Sequence, residues 1–400
     1  MRSTSSTSPN GAAARSTGAI LAVVVLVALN LRLALASLPA VATSIQAETG
    51  WNDAFIGALT TVPVLAMGIF ALGVPRLAEH VGRRAAVSGA LATMAIALLL
   101  RLLGAVAITL FLSALLAGLA IAILGGLVPG IVREQLSGSM GMATALWTAA
   151  LMGGAALGAA LTLPLAELVG SWNAALAFWA LPAVAGLIAW VSLERGGKGH
   201  DRPERLVTLR ELPWRSPLAW ALTGFMMLNS IVFYSALAWV APSYEERGYS
   251  PQVAGVFFGI FTAFQVVAAF TWPRWAHRTR YVRTLFAASV IGSAAMLLLI
   301  ALIPTFLPPV ILALFAFCLS GGFAMSLGLL SEYAEDAAGA ARLTAMAFFV
   351  TYTVAASGPF IAGLLMDTFA SWAVVYSLLA GVTMLKLVTV PMFRKGAKLR

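Results

Sequence analysis

The sequence predicts an all-α membrane protein of twelve transmembrane helices in two pseudo-symmetric six-helix halves, and three observations predict it. Of 400 residues, 61% are hydrophobic and only 10% charged, with a mean hydropathy of +0.94, whereas soluble domains run near half apolar and a quarter charged. Twelve apolar runs approach the roughly 20 residues needed to cross a bilayer core of about 30 Å. The second six runs repeat landmarks of the first at shifts of 198 and 200 residues.

The runs lie near 19–43, 52–75, 85–103, 106–131, 142–164, 173–193, 217–241, 251–273, 284–303, 309–331, 343–366 and 372–393. The one long polar connection divides them. The expected organisation is a disordered tail at 1–17, a six-helix half at 18–193, a linker at 194–216, a second six-helix half at 217–393 and a short tail at 394–400. Arg2 and Arg15 ahead of an apolar stretch ending in Ala34-Leu35-Ala36 imitate a signal peptide. The repeat pairs this segment with the seventh run, so it is read as a retained helix.

Charge sets the orientation. With the N-terminus in the cytoplasm, 21 of the 25 Lys and Arg fall in inner loops, linker and tails. Arg101 and Arg247 fall on the outer side, and Arg32 and Lys386 fall inside spans. This positive-inside bias places both termini in the cytoplasm, and it accounts for a net charge of +10 without nucleic acid as a partner. A single Cys318 and three scattered histidines (His80, His200, His277) exclude a disulfide framework, a thiolate zinc site and a histidine metal cluster. No cofactor is expected, and no cluster of nucleophile, base or metal ligands suggests an enzyme.

In the repeat, Gly57 aligns with Gly255, Pro75-Arg76-x-Ala78 with Pro273-Arg274-x-Ala276, Thr144 with Thr344, Gly158 with Gly358, Glu167 with Asp367, and Ser171-Trp172 with Ser371-Trp372. Six spans per half is an even number, so both halves cross in the same direction and are related by an axis along the membrane normal.

This layout resembles the major facilitator superfamily. The superfamily loop pattern G-x-L-A-D-[RK]-x-G-[RK]-[RK] is met by Pro75-Arg76-Leu77-Ala78-Glu79-His80-Val81-Gly82-Arg83-Arg84, with departures at Pro75, Glu79 and His80. The loop suits a gate: Gly82 permits a tight turn, Arg83 and Arg84 face the cytoplasm, and Glu79 can sit at a helix end or pair across the halves. The same charges can equally serve as headgroup anchors. Asn30-Leu31-Arg32, Leu59-Thr60-Thr61-Val62-Pro63-Val64, Pro129-Gly130-Ile131-Val132-Arg133 and Gly170-Ser171-Trp172-Asn173-Ala174-Ala175-Leu176 resemble, more narrowly, the cyanate and 2-nitroimidazole transporter branch. Leu33 and Asn173 depart from the Pro and Arg common there. The resemblance implies a secondary carrier in a bacterial inner membrane, working as a monomer by alternating access.

Arg32 stands out without any family in mind. It lies roughly 20 Å along the helix from the tail end, beyond snorkelling reach, and an intramembrane arginine costs at least about 2.5–3.5 kcal/mol. No acidic residue lies at matching depth, so its partner is either a small anion held by the guanidinium fork or helix carbonyls. Lys386, within about 12 Å of the inner end of its span, is expected to snorkel. Asn30, Thr61, Asn229, Tyr234, Gln265 and Tyr352 are candidate substrate-orienting groups, with Trp147 as an aromatic wall; each can also be a helix–helix contact. Asn30 and Asn229 stand almost equivalently in spans one and seven, which line the central cavity in this superfamily. Glu134 and Glu332 are expected to form inner-gate pairs with Arg342 and Arg133.

The expected partners are thus a small anionic molecule and membrane lipid, with a coupling proton left open because no mid-span Asp, Glu or His is present to relay one. A multidrug or aromatic-compound efflux carrier is the rival within transport. A non-transporting membrane sensor is the rival outside it, although no soluble output domain is visible.

Overall fold

The computed structural model describes residues 9–104, 106–135, 140–194, 208–279, 281–394 and 396. Among them, twelve helices are long and apolar enough to cross a membrane: Gly18–Ala36, Asp53–Ala71, Arg83–Leu103, Ala107–Ile131, Leu146–Val169, Trp172–Ser192, Pro217–Glu245, Pro251–Arg278, Val282–Leu302, Pro308–Glu332, Ala338–Phe369 and Trp372–Met392. They are spans 1 to 12 below. There is no strand among the described residues. The helix carrying span 1 extends back to Pro9, so residues 9–17, expected as part of an unstructured tail, continue as helix; residues 1–8 lie outside the described residues.

Local chemistry starts the helices. Asn52, Ser171, Ser216, Ser250 and Asp336 each accept a hydrogen bond from the backbone N–H three residues on, and Pro217 and Pro251 occupy the first helical turn, where the missing N–H costs nothing. Gly82, at φ 87°, makes the tight turn between the helix Val74–Val81 and span 3 that a side chain would strain. Span 11 breaks at Ala356 into Ala337–Ala355 and Ser357–Phe369. Pro359 supplies the reason, since it has no N–H for the carbonyl one turn back. Span 12 changes from α-helix to 3₁₀ turns at Lys386–Val388 and Val390–Met392.

Where helices touch, small residues let backbones approach. Span 1 packs on span 5 with the Gly154 Cα against Leu29, where an added Cβ would lie 2.2 Å from the Leu29 carbonyl oxygen. Span 2 meets span 11 of the other half in the same way, through Gly57 against Pro359 and Gly363 against Asp53.

The two ends of the bundle differ. At one end lie Gly82, Thr208–Ser216 and the turn after Glu332; this is the linker end. At the opposite, far end, the halves are joined by polar contacts. Asp367 accepts from the N–H groups of Asp53 and Ala54 at 3.0 and 2.9 Å, Gln252 donates to Glu167 at 3.2 Å, and Thr43 donates to Glu245 at 2.9 Å. The first two contacts are related by the repeat. Trp172 and Trp372 likewise donate to Glu48 and Glu246 at 2.5 and 2.8 Å, one pair in each half.

Candidate functional site

A cavity of about 490 Å³ lies between the halves, lined by residues of spans 1, 4 and 5 on one side and 7, 8, 10 and 11 on the other. Its lining runs from Arg32 and Tyr234 to Pro129, Pro273 and Leu327, which lie closer to the linker end. Beyond Tyr234 toward the far end, only about 20 Å³ remains among Leu38, Thr60, Pro63, Arg101 and Pro359. The far-end contacts therefore close the cavity on one side.

Arg32 is the one charged residue in the described lining, and no carboxylate or histidine accompanies it. Its guanidinium carbon sits 5.2 Å from the centroid of the Phe233 ring, in cation–π range, and beside the Tyr234 hydroxyl. Its Nη1 is buried without a hydrogen-bond partner. Tyr352 stands edge-on to Tyr234 at 6.3 Å and tilted against Phe348 at 5.6 Å. With Trp147 and Phe323 these rings give the cavity flat, apolar walls. Gln265 is buried, and its amide nitrogen also lacks a partner.

The structure thus brings Arg32, Trp147, Asn229, Tyr234, Gln265 and Tyr352 together. It places the other two candidates elsewhere. Asn30 is fully buried against span 6, donating to the carbonyls of Leu26 at 2.8 Å and Pro182 at 3.0 Å; it is two residues from Arg32, about 200° around the helix, and so faces away from the cavity. Thr61 donates to the Ala356 carbonyl at 2.5 Å, tying span 2 to the break in span 11.

One basic residue departs from the sequence expectation, and two others on the outer side are held by protein groups. Lys386 does not snorkel: it is 1% exposed, donates to Asn229 Oδ1 at 2.9 Å and lies 5.4 Å from the Phe225 ring centroid. Distance along the helix axis set the snorkelling expectation, but the rotation of the helix points the side chain inward to Asn229. Arg101 ends span 3 on the outer side, in a 3₁₀ turn. It is 2% exposed and donates to Ser113, Ser37 and the Ala34 carbonyl at 3.1, 3.0 and 2.8 Å. Arg247 donates to the Ile300 carbonyl at 3.2 Å and packs over Tyr244 and Tyr376.

The repeat held a signal for Lys386. Asn30 faces Gly186, whose added Cβ would lie 3.7 Å from the Asn30 amide nitrogen; the residue at Gly186 plus 200 is Lys386, and it meets Asn229. A glycine in one half leaves its asparagine to the backbone, and a lysine in the other engages it.

At the linker end, Glu79 is exposed, Arg83 buried and Arg84 half-buried, with the Arg84 carbonyl accepting from Trp190 at 3.4 Å. Glu332 accepts from the Gly396 N–H at 3.2 Å. Arg342 borders a groove with Glu211, Glu335 and Asp336. The side chains of Arg133 and Glu134 lie outside the described residues, as does the basic stretch 195–207.

Comparison with known proteins agrees with this architecture. Residues 20–357 match the model of the Major Facilitator Superfamily. The chain is 30% identical to the cyanate transport protein CynX of Escherichia coli (strain K12), over 86% of this chain and 89% of that one. It is 29% identical to the 2-nitroimidazole transporter of the same organism, over 92% of each. Among solved structures, the nucleoside transporter NupG superposes with a TM-score of 0.77 at 16% identity, covering 94% of this chain and all of that one. A bacterial homolog of the human lysosomal transporter Spinster gives 0.70 at 14% identity, covering 94% and 95%. With the family model spanning most of the chain and twelve membrane-crossing helices around one central cavity, the protein belongs to the Major Facilitator Superfamily.

Proposed function

We propose that this carrier moves a small anion or compact polar organic solute, of the cyanate or nitroimidazole kind, by alternating access around the cavity at Arg32. One observation carries the reading: a guanidinium with a buried, unpartnered Nη1 at the closed end of a cavity whose described lining has no carboxylate. Such a group is costly in an apolar bundle and is satisfied by a ligand that brings negative charge. A guanidinium fork matches a carboxylate with two parallel hydrogen bonds and donates to a terminal atom of linear cyanate, and each charge-assisted hydrogen bond contributes about 1.5–3 kcal/mol. The tyrosine hydroxyls and side-chain amides add orientation, and the flat ring walls suit a planar solute.

In this reading the protein lies in a bacterial inner membrane with both termini cytoplasmic. The linker end is then cytoplasmic, and the far-end contacts hold the external side shut. Rocking of the halves separates Gly57 from Pro359 and Asp367 from Asp53 and closes the linker end. The charged loops Glu79–Arg84 and Arg133–Glu134, with Glu332 and Arg342, serve as that inner gate, and the monomer is the working unit.

Uptake into proteoliposomes of cyanate, formate, nitrite and 2-nitroimidazole tests the assignment. Wild type is expected to take up at least one anion, Arg32→Ala to lose at least tenfold in rate, and Arg32→Lys to recover part of it. Anion uptake unchanged in Arg32→Ala rejects the assignment. The ring-lined walls favour a second reading, carriage of an uncharged aromatic solute, which is supported if only 2-nitroimidazole moves and the arginine is dispensable.

A further inference from the structure

Lys386 is a fully buried amine that bonds to a residue of the cavity wall, and the anchor role of Arg32 does not use it. Its Nζ donates to Asn229 Oδ1 at 2.9 Å, and Asn229 lines the cavity. Around it are the Phe225 ring and Cys318. Titratable groups on the elements packed against it are engaged elsewhere: Tyr234 of span 7 faces Arg32, Arg283 of span 9 donates to the Phe393 carbonyl at 2.9 Å, and Tyr376 of span 12 bonds Ser243 at 2.8 Å. Cys318 of span 10 is the one that reaches it. No carboxylate among the described residues bonds to Lys386.

We infer that Lys386 is the proton site of this carrier, taking up one proton as the anion enters the cavity, so that anion and proton cross together. The inference rests on the anion reading above and names its energy coupling. An amine and an ammonium both donate to Asn229, so protonation breaks no contact. An ammonium buried without a counter-charge is unfavourable with the cavity empty, because it sits out of water. An anion in the cavity beside Asn229 supplies the missing counter-charge. Proton and anion therefore favour each other's binding by the same factor, as linkage requires. The proton comes from water entering the cavity and stays on Nζ while the anion is bound. Both leave on the other side, so one negative and one positive charge cross and the cycle is electroneutral. Lys386 also holds Asn229 by its oxygen, which leaves the amide N–H groups free to donate to the anion.

The test uses the whole protein reconstituted in liposomes with a trapped pH dye, and cyanate, formate and nitrite as probes. For whichever probe is taken up, wild type is expected to acidify the lumen with one proton per anion, without generating a membrane potential. Its apparent anion affinity is expected to fall up to tenfold per pH unit on the alkaline side. Lys386→Met and Lys386→Gln are expected to take up the anion without protons, as an electrogenic flux, with affinity changing less than twofold over the same range. Melting temperatures of both variants in detergent, and binding of the probe, show that they are folded. A wild-type proton stoichiometry retained in either folded variant overturns the role of Lys386 and leaves the Arg32 reading standing. Failure of every anion to bind or move with wild type overturns both.

Discussion

The two carboxylate oxygens of Asp367, at the end of span 11, accept from the backbone N–H groups of Asp53 and Ala54, at the start of span 2, at 3.0 and 2.9 Å. A side chain of one half therefore caps a helix of the other, where the unsatisfied N–H groups and the positive end of the helix dipole favour an anion. The repeat-related contact, Glu167 with the Gln252 amide at the start of span 8, is a single neutral-donor bond at 3.2 Å. The closure at the far end is thus asymmetric, tighter between spans 2 and 11.

Asp367→Ala is expected to favour separation at the far end by about tenfold, because helix-terminal charge pairing in partly buried geometry contributes up to about 2 kcal/mol. Spin labels at the exposed positions Leu168 and Phe306 on a Cys318→Ser background report it as a longer population in the distance distribution. An unchanged distribution shows that the cap does not hold the far end shut.

Two glycine substitutions should separate folding from closure. A Cβ on Gly154 would lie 2.2 Å from the Leu29 carbonyl oxygen within one half, and on Gly57 it would lie 2.5 Å from the Pro359 carbonyl oxygen across the halves. Gly154→Ala is expected to lower stability by about 1–3 kcal/mol, the ordinary cost of overpacking. Gly57→Ala can relieve the same clash by parting the halves, so its expected signature is the long-distance population, with a smaller change in melting temperature. Equal melting losses and equal distances would contradict this division.

Arg101 joins spans 1, 3 and 4 through Ser37, Ala34 and Ser113. Arg101→Met keeps most of the volume and removes three charge-assisted donors, leaving their acceptors buried. A loss of about 2–4 kcal/mol is expected, read from denaturation in detergent. Transport by the surviving folded fraction should keep its substrate affinity, because the guanidinium bonds to protein groups alone.

Glu246 carries a pH dependence that can be worked out in sign. Burial holds its carboxyl above the ordinary glutamate value of 4.5, while the Trp372 N–H opposes the shift. The folded chain therefore keeps this proton to higher pH than the unfolded chain. Its contribution is fully present below pH 4.5 and is lost as pH rises through the folded-state value. Glu246→Gln keeps an acceptor for Trp372 without the charge, so its melting temperature should gain on wild type as pH is raised from 4.5 to 7. A constant difference across that range would show that the burial has no effect on stability.

Much of the fold was legible because its signals are local or periodic. Apolar run length gives twelve spans, and the 198- and 200-residue shifts give two equivalent halves. The site was legible in part. Arg32 is conspicuous by its cost in any membrane helix, and Asn229, Tyr234, Gln265 and Tyr352 by scarcity of polar groups around them. Asn30 was misplaced because symmetry between spans 1 and 7 says that two positions correspond, not that both face the cavity. Lys386 was misread because depth along a helix does not give the direction of the side chain.

The sequence by itself determined the membrane class, the number of spans, the two-half repeat and the presence of one arginine that needs an explanation. Each follows from composition and from the free energy of placing single residues in hydrocarbon. Only the tertiary structure decided which polar groups converge on Arg32, that Lys386 turns inward to Asn229, and that the far end is the closed one. Those depend on helix rotation and on contacts between residues some 300 positions apart, such as Asp53 and Asp367, which no local pattern encodes.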